Sequence, residues 1–153
     1  MESNNSRIVA ASGYMDPLTV GHIEYLEMAK SLGDKLIVII NTDEQAKQKK
    51  GFSFMNEKER MKVVSSLKCV DEVMLSIDTD RTVCKSLEYL KPNIFAKGGD
   101  TNSTNIPEKV ICDKIGIEIV DGLGDKIQSS RWLLRDCKRR LAQIDDNYLN
   151  EGM

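Results

Sequence analysis

Residues 7–42 read RIVAASGYMDPLTVGHIEYLEMAKSLGDKLIVIINT. Two apolar runs, 7–13 and 35–42, bracket an amphipathic segment. In that segment Ile23, Leu26 and Ala29 recur every third position, backed by Tyr25, Met28 and Leu32. That spacing predicts a helix over 21–32 with one buried face. Gly33-Asp34 closes it as a turn signal. KLIVIINT is apolar throughout rather than alternating, which suits a strand covered on both faces of a parallel sheet. The unit is therefore strand, helix, strand.

The same alternation continues along the chain. DEQAKQKKGFSF (43–54) is polar, lacks a period and reads as a loop. Asn56 with Glu59 opens a helix 57–68, buried through Met61, Val64 and Leu67. Strand 71–77, helix 82–91 ended by Pro92, and strand 93–99 follow. Pro107 stands at the first position of a helix 107–115. Strand 116–122 precedes a helix 130–144, capped by Ser129 or Ser130, with Leu134, Cys137, Leu141 and Ile144 on one stripe. The expectation is an α/β fold: a Rossmann-like five-stranded parallel sheet with helices on both faces. A single domain over 1–153 is expected, with its core at 7–144 and flexible ends at 1–6 and 145–153.

Composition excludes several classes. The chain has 153 residues, 41% hydrophobic and 30% charged, with net charge -2. That balance gives no overall pull toward nucleic acid or anionic membrane, and no apolar run approaches a membrane span. The RDCKRR run (135–140) spreads its charges around a helix, so nucleic acid is not an expected partner. Cys69, Cys84, Cys112 and Cys137 are far apart and read as reduced core thiols, which implies a cytoplasmic protein.

In a parallel sheet, ligands bind outside the carboxyl ends of the strands. His22, the only histidine, stands there at a helix mouth behind Gly13, Asp16, Pro17 and Gly21. A helix N-terminus is an anion site. Gly21 permits close approach to a ligand, and His22 adds a donor that is partly cationic near neutral pH. The plain alternative is a capping histidine. Lys47, Lys49 and Lys50 are either a solvated charge run or a phosphate-binding cluster. Lys97-Gly98-Gly99-Asp100 is either a turn or a site where Asp100 accepts from a base or sugar. Gln128-Ser129-Ser130, flanked by Lys126 and Arg131, is either an ordinary cap or a second anion site facing the first. Neither G-x-G-x-x-G nor a P-loop is present.

GYMDPLTVGH together with IQSSRWL resembles the two signature segments of the nucleotidyltransferases whose first motif is [HT]-x-G-H. GHIEYLEMAKSLGDKLIVIINTDEQAKQKKG is similar to glycerol-3-phosphate cytidylyltransferases. KPNIFAKGGD is similar to heptose-phosphate adenylyltransferases. The resemblance covers residues 7–134. It implies transfer of a nucleotidyl group from CTP, or alternatively ATP, to a small phosphorylated alcohol or sugar, with Mg²⁺ as cofactor and a homodimer as the assembly. By the same resemblance, His22, Lys49, Lys50 and Ser130 are the catalytic candidates. Nucleotide binding falls to Gly13, Tyr14, Thr19, Gly21, His22, Lys97, Gly98, Gly99, Asp100, Gln128, Ser129 and Ser130. Acceptor binding falls to Asp16, Asp43, Lys49 and Arg60. No metal ligand is assigned. Thr19 stands where cytidylyltransferases usually carry His, and Gln128 replaces a Ser; these departures keep a non-catalytic nucleotide-binding domain in view.

The chemistry suits such residues. A phosphomonoester, with a second pKa of about 6, is already an anion and needs no general base. Positioning and fixed positive charge are what the reaction requires.

Overall fold

In a computed structural model, which describes residues 6–99, 106–124 and 128–151, the two apolar runs are strands β1 (Ile8–Gly13) and β2 (Lys35–Ile40). They pair in parallel, from Ile8 opposite Lys35 to Gly13 opposite Ile40. A parallel pair needs a crossover, and helix α1 (Val20–Lys30) supplies it. Strands β3 (Glu72–Leu75), β4 (Ile94–Gly98) and β5 (Glu118–Leu123) complete one sheet in the order β3-β2-β1-β4-β5, every pair parallel.

The pleat divides the core into two layers. Val9, Ala11, Leu36, Val38 and Ile40 pack with Leu26 and Ala29 of α1 and with Val64 of α3 (Glu57–Ser65). Ala10, Ile39 and Phe95 point the other way. They meet Leu87 of α4 (Cys84–Leu90) and Cys112 of α5 (Lys109–Ile115). Helices therefore cover both faces, as the unbroken apolarity of β2 predicts. Each fully buried Val, Leu, Ile or Phe side chain among them contributes about 1.5–3 kcal/mol.

Four expectations are corrected. First, residues 43–50 are not a loop but helix α2 (Asp43–Lys50). Ala46 is its only apolar residue, so no hydrophobic period marks it. A capping box does: Gln45 N–H donates to Thr42 Oγ1 at 3.0 Å, and Thr42 N–H donates to Gln45 Oε1 at 2.9 Å. Buried Gln45 also donates to the carbonyls of Asp80 (2.6 Å) and Thr82 (2.9 Å), which anchors α2 to the loop after β3. Gly51, at φ 89°, ends the helix in the left-handed conformation glycine favours.

Second, Pro107 lies in a turn and α5 starts at Lys109. Third, the final predicted helix is α6 (Ser130–Arg140) with a 3₁₀ turn at Leu141–Gln143, and the tail forms a short helix α7 (Asp146–Asn150). Fourth, only Cys112 is a core thiol; Cys69 and Cys84 are half-buried and Cys137 is exposed. No helix among the described residues is long and apolar enough to cross a membrane.

Candidate active site

β1 and β4 are neighbours, yet the chain leaves β1 toward β2 and β4 toward β5. This reversal opens a crevice at their carboxyl ends. It holds a cavity of about 960 Å³. Gly13 and Tyr14 line it from the end of β1, and His22 from α1. Lys97 and Gly98 line it from β4, Lys49 and Lys50 from α2, and Ser129 and Ser130 from the start of α6.

The two helix openings are joined directly. Ser130 Oγ donates to the Pro17 carbonyl at 2.7 Å. Gly21, at the start of α1, lies so close to the next segment that a Cβ there would stand 2.2 Å from the Gln128 carbonyl oxygen. Gly21 thus admits the neighbouring backbone rather than a ligand, correcting the sequence expectation. Gly21→Ala is expected to cost about 1–3 kcal/mol, as overpacking does; urea unfolding of the variant measures it.

Thr19 precedes α1, and its N–H donates to His22 Nδ1 at 2.9 Å. Nδ1 is therefore an acceptor, and the proton of the neutral ring sits on Nε2. Burial, with a smaller contribution from the Lys49 ammonium, lowers the His22 pKa to about 4. His22 is a neutral donor at pH 7, not the partial cation expected from its type. The unfolded imidazole binds a proton below its ordinary value of 6.5, while the folded one does not until about 4. Stability is therefore lost as pH falls through that window. Between pH 7 and pH 4 the wild type is expected to lose up to about 3 kcal/mol more than His22→Asn; paired urea titrations at the two pH values check it.

The cavity is cationic. Lys49, Lys97, Arg131, Arg135 and Lys138 line it, and none forms an ion pair with a described carboxylate. Lys49 Nζ sits 4.4 Å from the Tyr14 ring centroid. Burial, then repulsion from Arg131, Lys50, Arg81 and Lys97, pulls its pKa down. Burial also lowers that of Lys97, partly offset by Glu108. Such mutual repulsion is relieved by bound anions.

Three residues expected to hold the acceptor have other partners. Asp16 is fully buried. Its carboxylate accepts the N–H groups of Phe54 and Met55, each at 2.7 Å, and pairs with Lys50 Nζ at 2.8 Å. Arg60 is fully buried as well. It donates to the carbonyls of Met55 (2.8 Å), Tyr14 (2.8 Å) and Asn41 (2.7 Å) and to Asp43 Oδ1 (2.8 Å). Neither Arg60 nor Asp43 lines the cavity. All three are struts that hold the β1–α1 loop, the end of β2 and the entry to α3 together.

Ser129 caps α6, its Oγ accepting Trp132 N–H at 3.1 Å. Gln128 Oε1 accepts Ser129 N–H at 2.9 Å. Thr19, Gln128 and Gly99 do not line the cavity. Asp100 and Lys126 lie outside the described residues. Among the described residues no cluster of three metal-ligating side chains occurs, and Asp16, the one carboxylate lining the cavity, is taken by Lys50 and two amides. These residues do not form a ligand set for the expected Mg²⁺. The sequence reading missed Phe52, Phe54, Arg135 and Lys138 as lining residues, and took Cys137 for a core thiol, whereas Leu134, Cys137 and Leu141 all line the cavity.

A parallel sheet whose strand order reverses beneath two joined helix openings and a cationic cavity is an α/β architecture with its crevice at the switch point. The chain belongs to the cytidylyltransferase-like family, whose model matches residues 10–132. The bifunctional protein HldE of Citrifermentans bemidjiense is 35% identical over 149 residues, 95% of this chain and 28% of that protein. HldE of Koribacter versatilis is 40% identical over 99 residues, 63% of this chain and 20% of that protein. The chain thus spans about a quarter of the length of these curated relatives. A lipopolysaccharide core biosynthesis protein from Thermoplasma volcanium superposes with TM-score 0.68 at 29% identity, covering 80% of this chain and 100% of that one. A pantoate-beta-alanine ligase from Francisella tularensis, at TM-score 0.54 and 17% identity over 95% of this chain and 74% of its own, shares the fold alone.

Proposed function

We propose that the chain transfers an adenylyl group from ATP to a sugar phosphate and releases pyrophosphate. One observation carries this reading. The His22 ring and the first turn of α6 enter the same cavity beside lysines and arginines that have no ion-pair partner among the described residues. In such a site the acceptor phosphate oxygen attacks the α-phosphorus, and the bond from that phosphorus to the pyrophosphate oxygen breaks. His22 Nε2–H, the amides opening α6 and the Lys49 and Lys97 ammoniums stabilise the negative charge that builds on the phosphoryl oxygens. No side chain needs to take a proton from the nucleophile.

Similarity to the HldE proteins, and the KPNIFAKGGD segment, favour ATP and a sugar phosphate over the CTP expected first. The second reading is cytidylyl transfer to a small alcohol phosphate. The family model and the residues GHIEYLEMAKSLGD support it. Pyrophosphate release is measured with Mg²⁺, ATP or CTP, and a panel of pyranose 1-phosphates beside glycerol 3-phosphate. ATP with a pyranose phosphate is the pair expected to turn over. Turnover with CTP and glycerol 3-phosphate alone gives the second reading. Nucleotide binding without pyrophosphate from any pair leaves a non-catalytic binding domain.

A further inference from the structure

The struts Asp16, Asp43 and Arg60 leave acceptor recognition to other residues, and the cavity offers a defined set. Phe52 and Phe54 stand in the segment between α2 and α3, 47% and 57% exposed, and both line the cavity. Their exposure is imposed. Asp16 grips the backbone N–H of Phe54 at 2.7 Å, and Lys50 Nζ, itself paired with Asp16, lies 5.2 Å from the Phe52 ring centroid. The segment is held from within, so the rings are presented to the cavity instead of folding into the core.

α6 also lines the cavity. None of its residues is buried. Arg131, Arg135 and Lys138 fall at i, i+4 and i+7, which places them on one helix face over about 10 Å of axis. All three line the cavity, and Leu134 lies between them. Apolar rings from one segment and cations from α6 thus border the same cavity. This pattern fits a ring with a C–H face and an attached anion. Apolar walls with a few placed charges are how small-molecule sites orient a ligand.

We propose that these residues form the acceptor subsite, with Phe52 and Phe54 taking the C–H face of the acceptor's sugar ring and Arg135 and Lys138 drawing in its phosphate. The proposal rests on the nucleotidyl-transfer reading and names the residues that select the acceptor. It makes Phe52 and Phe54 specificity determinants, and it moves acceptor recognition from Asp16, Asp43 and Arg60 to α6 and the segment before α3.

Calorimetry on the full chain tests it. α,β-Methylene-ATP is titrated first, then mannose 1-phosphate, glycerol 3-phosphate or inorganic phosphate is titrated into the nucleotide-loaded protein. Mannose 1-phosphate is expected to bind at least about tenfold tighter than the other two. Phe52→Ala/Phe54→Ala is expected to remove that preference while leaving the nucleotide Kd within about twofold. Phe52→Leu/Phe54→Leu, which keeps apolar bulk without a flat ring, is expected to retain only part of it. Arg135→Ala/Lys138→Ala is expected to weaken all three phosphates together and flatten their salt dependence. Equal affinity for glycerol 3-phosphate and mannose 1-phosphate, no binding of mannose 1-phosphate to the loaded protein, or a preference that survives loss of both rings overturns the proposal. So does an α6 double variant that weakens the nucleotide instead, since the stripe then serves the triphosphate. Absence of α,β-methylene-ATP binding by the wild type overturns the adenylyl-transfer reading, and this proposal with it.

Discussion

His22→Ala is expected to lower kcat by about 10²–10⁴, a rise of roughly 3–5 kcal/mol in the barrier, with the fold intact. Thr19 N–H occupies Nδ1 at 2.9 Å and burial keeps the ring neutral at pH 7, so Nε2–H is fixed as the donor. A donor held in place needs no reorganisation as charge moves onto the phosphoryl oxygens, so its loss falls on kcat more than on nucleotide affinity. His22→Asn, which keeps an amide donor on a shorter arm, is expected to fall between wild type and His22→Ala. Single-turnover rates with saturating nucleotide, beside circular dichroism of each variant, make the comparison. A folded His22→Ala with kcat within a factor of three of wild type overturns the role.

Arg60→Ala is expected to destabilise the protein by about 3–5 kcal/mol, chiefly through the three carbonyls its fully buried guanidinium bonds, since its ion-pair partner Asp43 is partly exposed. The guanidinium joins Tyr14 after β1, Asn41 after β2, Met55 before α3, and Asp43 of α2. Its removal leaves the buried Asn41 bond and the part-buried Tyr14 and Met55 bonds unmade, and a buried carbonyl costs about 1–3 kcal/mol when left unpaired. At about 2–4 °C per kcal/mol for a chain of this size, the midpoint of thermal unfolding drops by roughly 6–20 °C. Were Arg60 an acceptor contact, the variant would melt near the wild-type temperature and show a raised acceptor KM instead. Differential scanning calorimetry distinguishes the two outcomes directly.

The contrast between these residues shows which parts of the site local sequence encodes. His22 is legible because its surroundings are local: a strand end, a turn through Gly and Pro, and a helix start within fifteen residues. Arg60 is not. Its partners lie 5, 17, 19 and 46 positions away, and nothing in its own neighbourhood, Glu59 to Met61, distinguishes a strut from a ligand contact. α2 was written locally too, in the Thr42–Gln45 capping box, but a helix with one apolar residue has no hydrophobic period to reveal it. The Leu134–Cys137–Leu141 stripe was correctly periodic, yet period alone does not say whether a face meets a core or a cavity.

By itself, the sequence determined the alternation of strands and helices, the parallel sheet, and the placing of His22 and Ser129-Ser130 at helix openings. Those features follow from apolar spacing and cap chemistry, which act over a few residues. Tertiary structure decided the rest. It brought Gly21 against the Gln128 carbonyl, withdrew Asp16 and Arg60 into the interior, made His22 neutral, and turned Phe52, Phe54 and one face of α6 toward the cavity. Burial and partnership set those roles, and both depend on which distant segments meet once the sheet has closed.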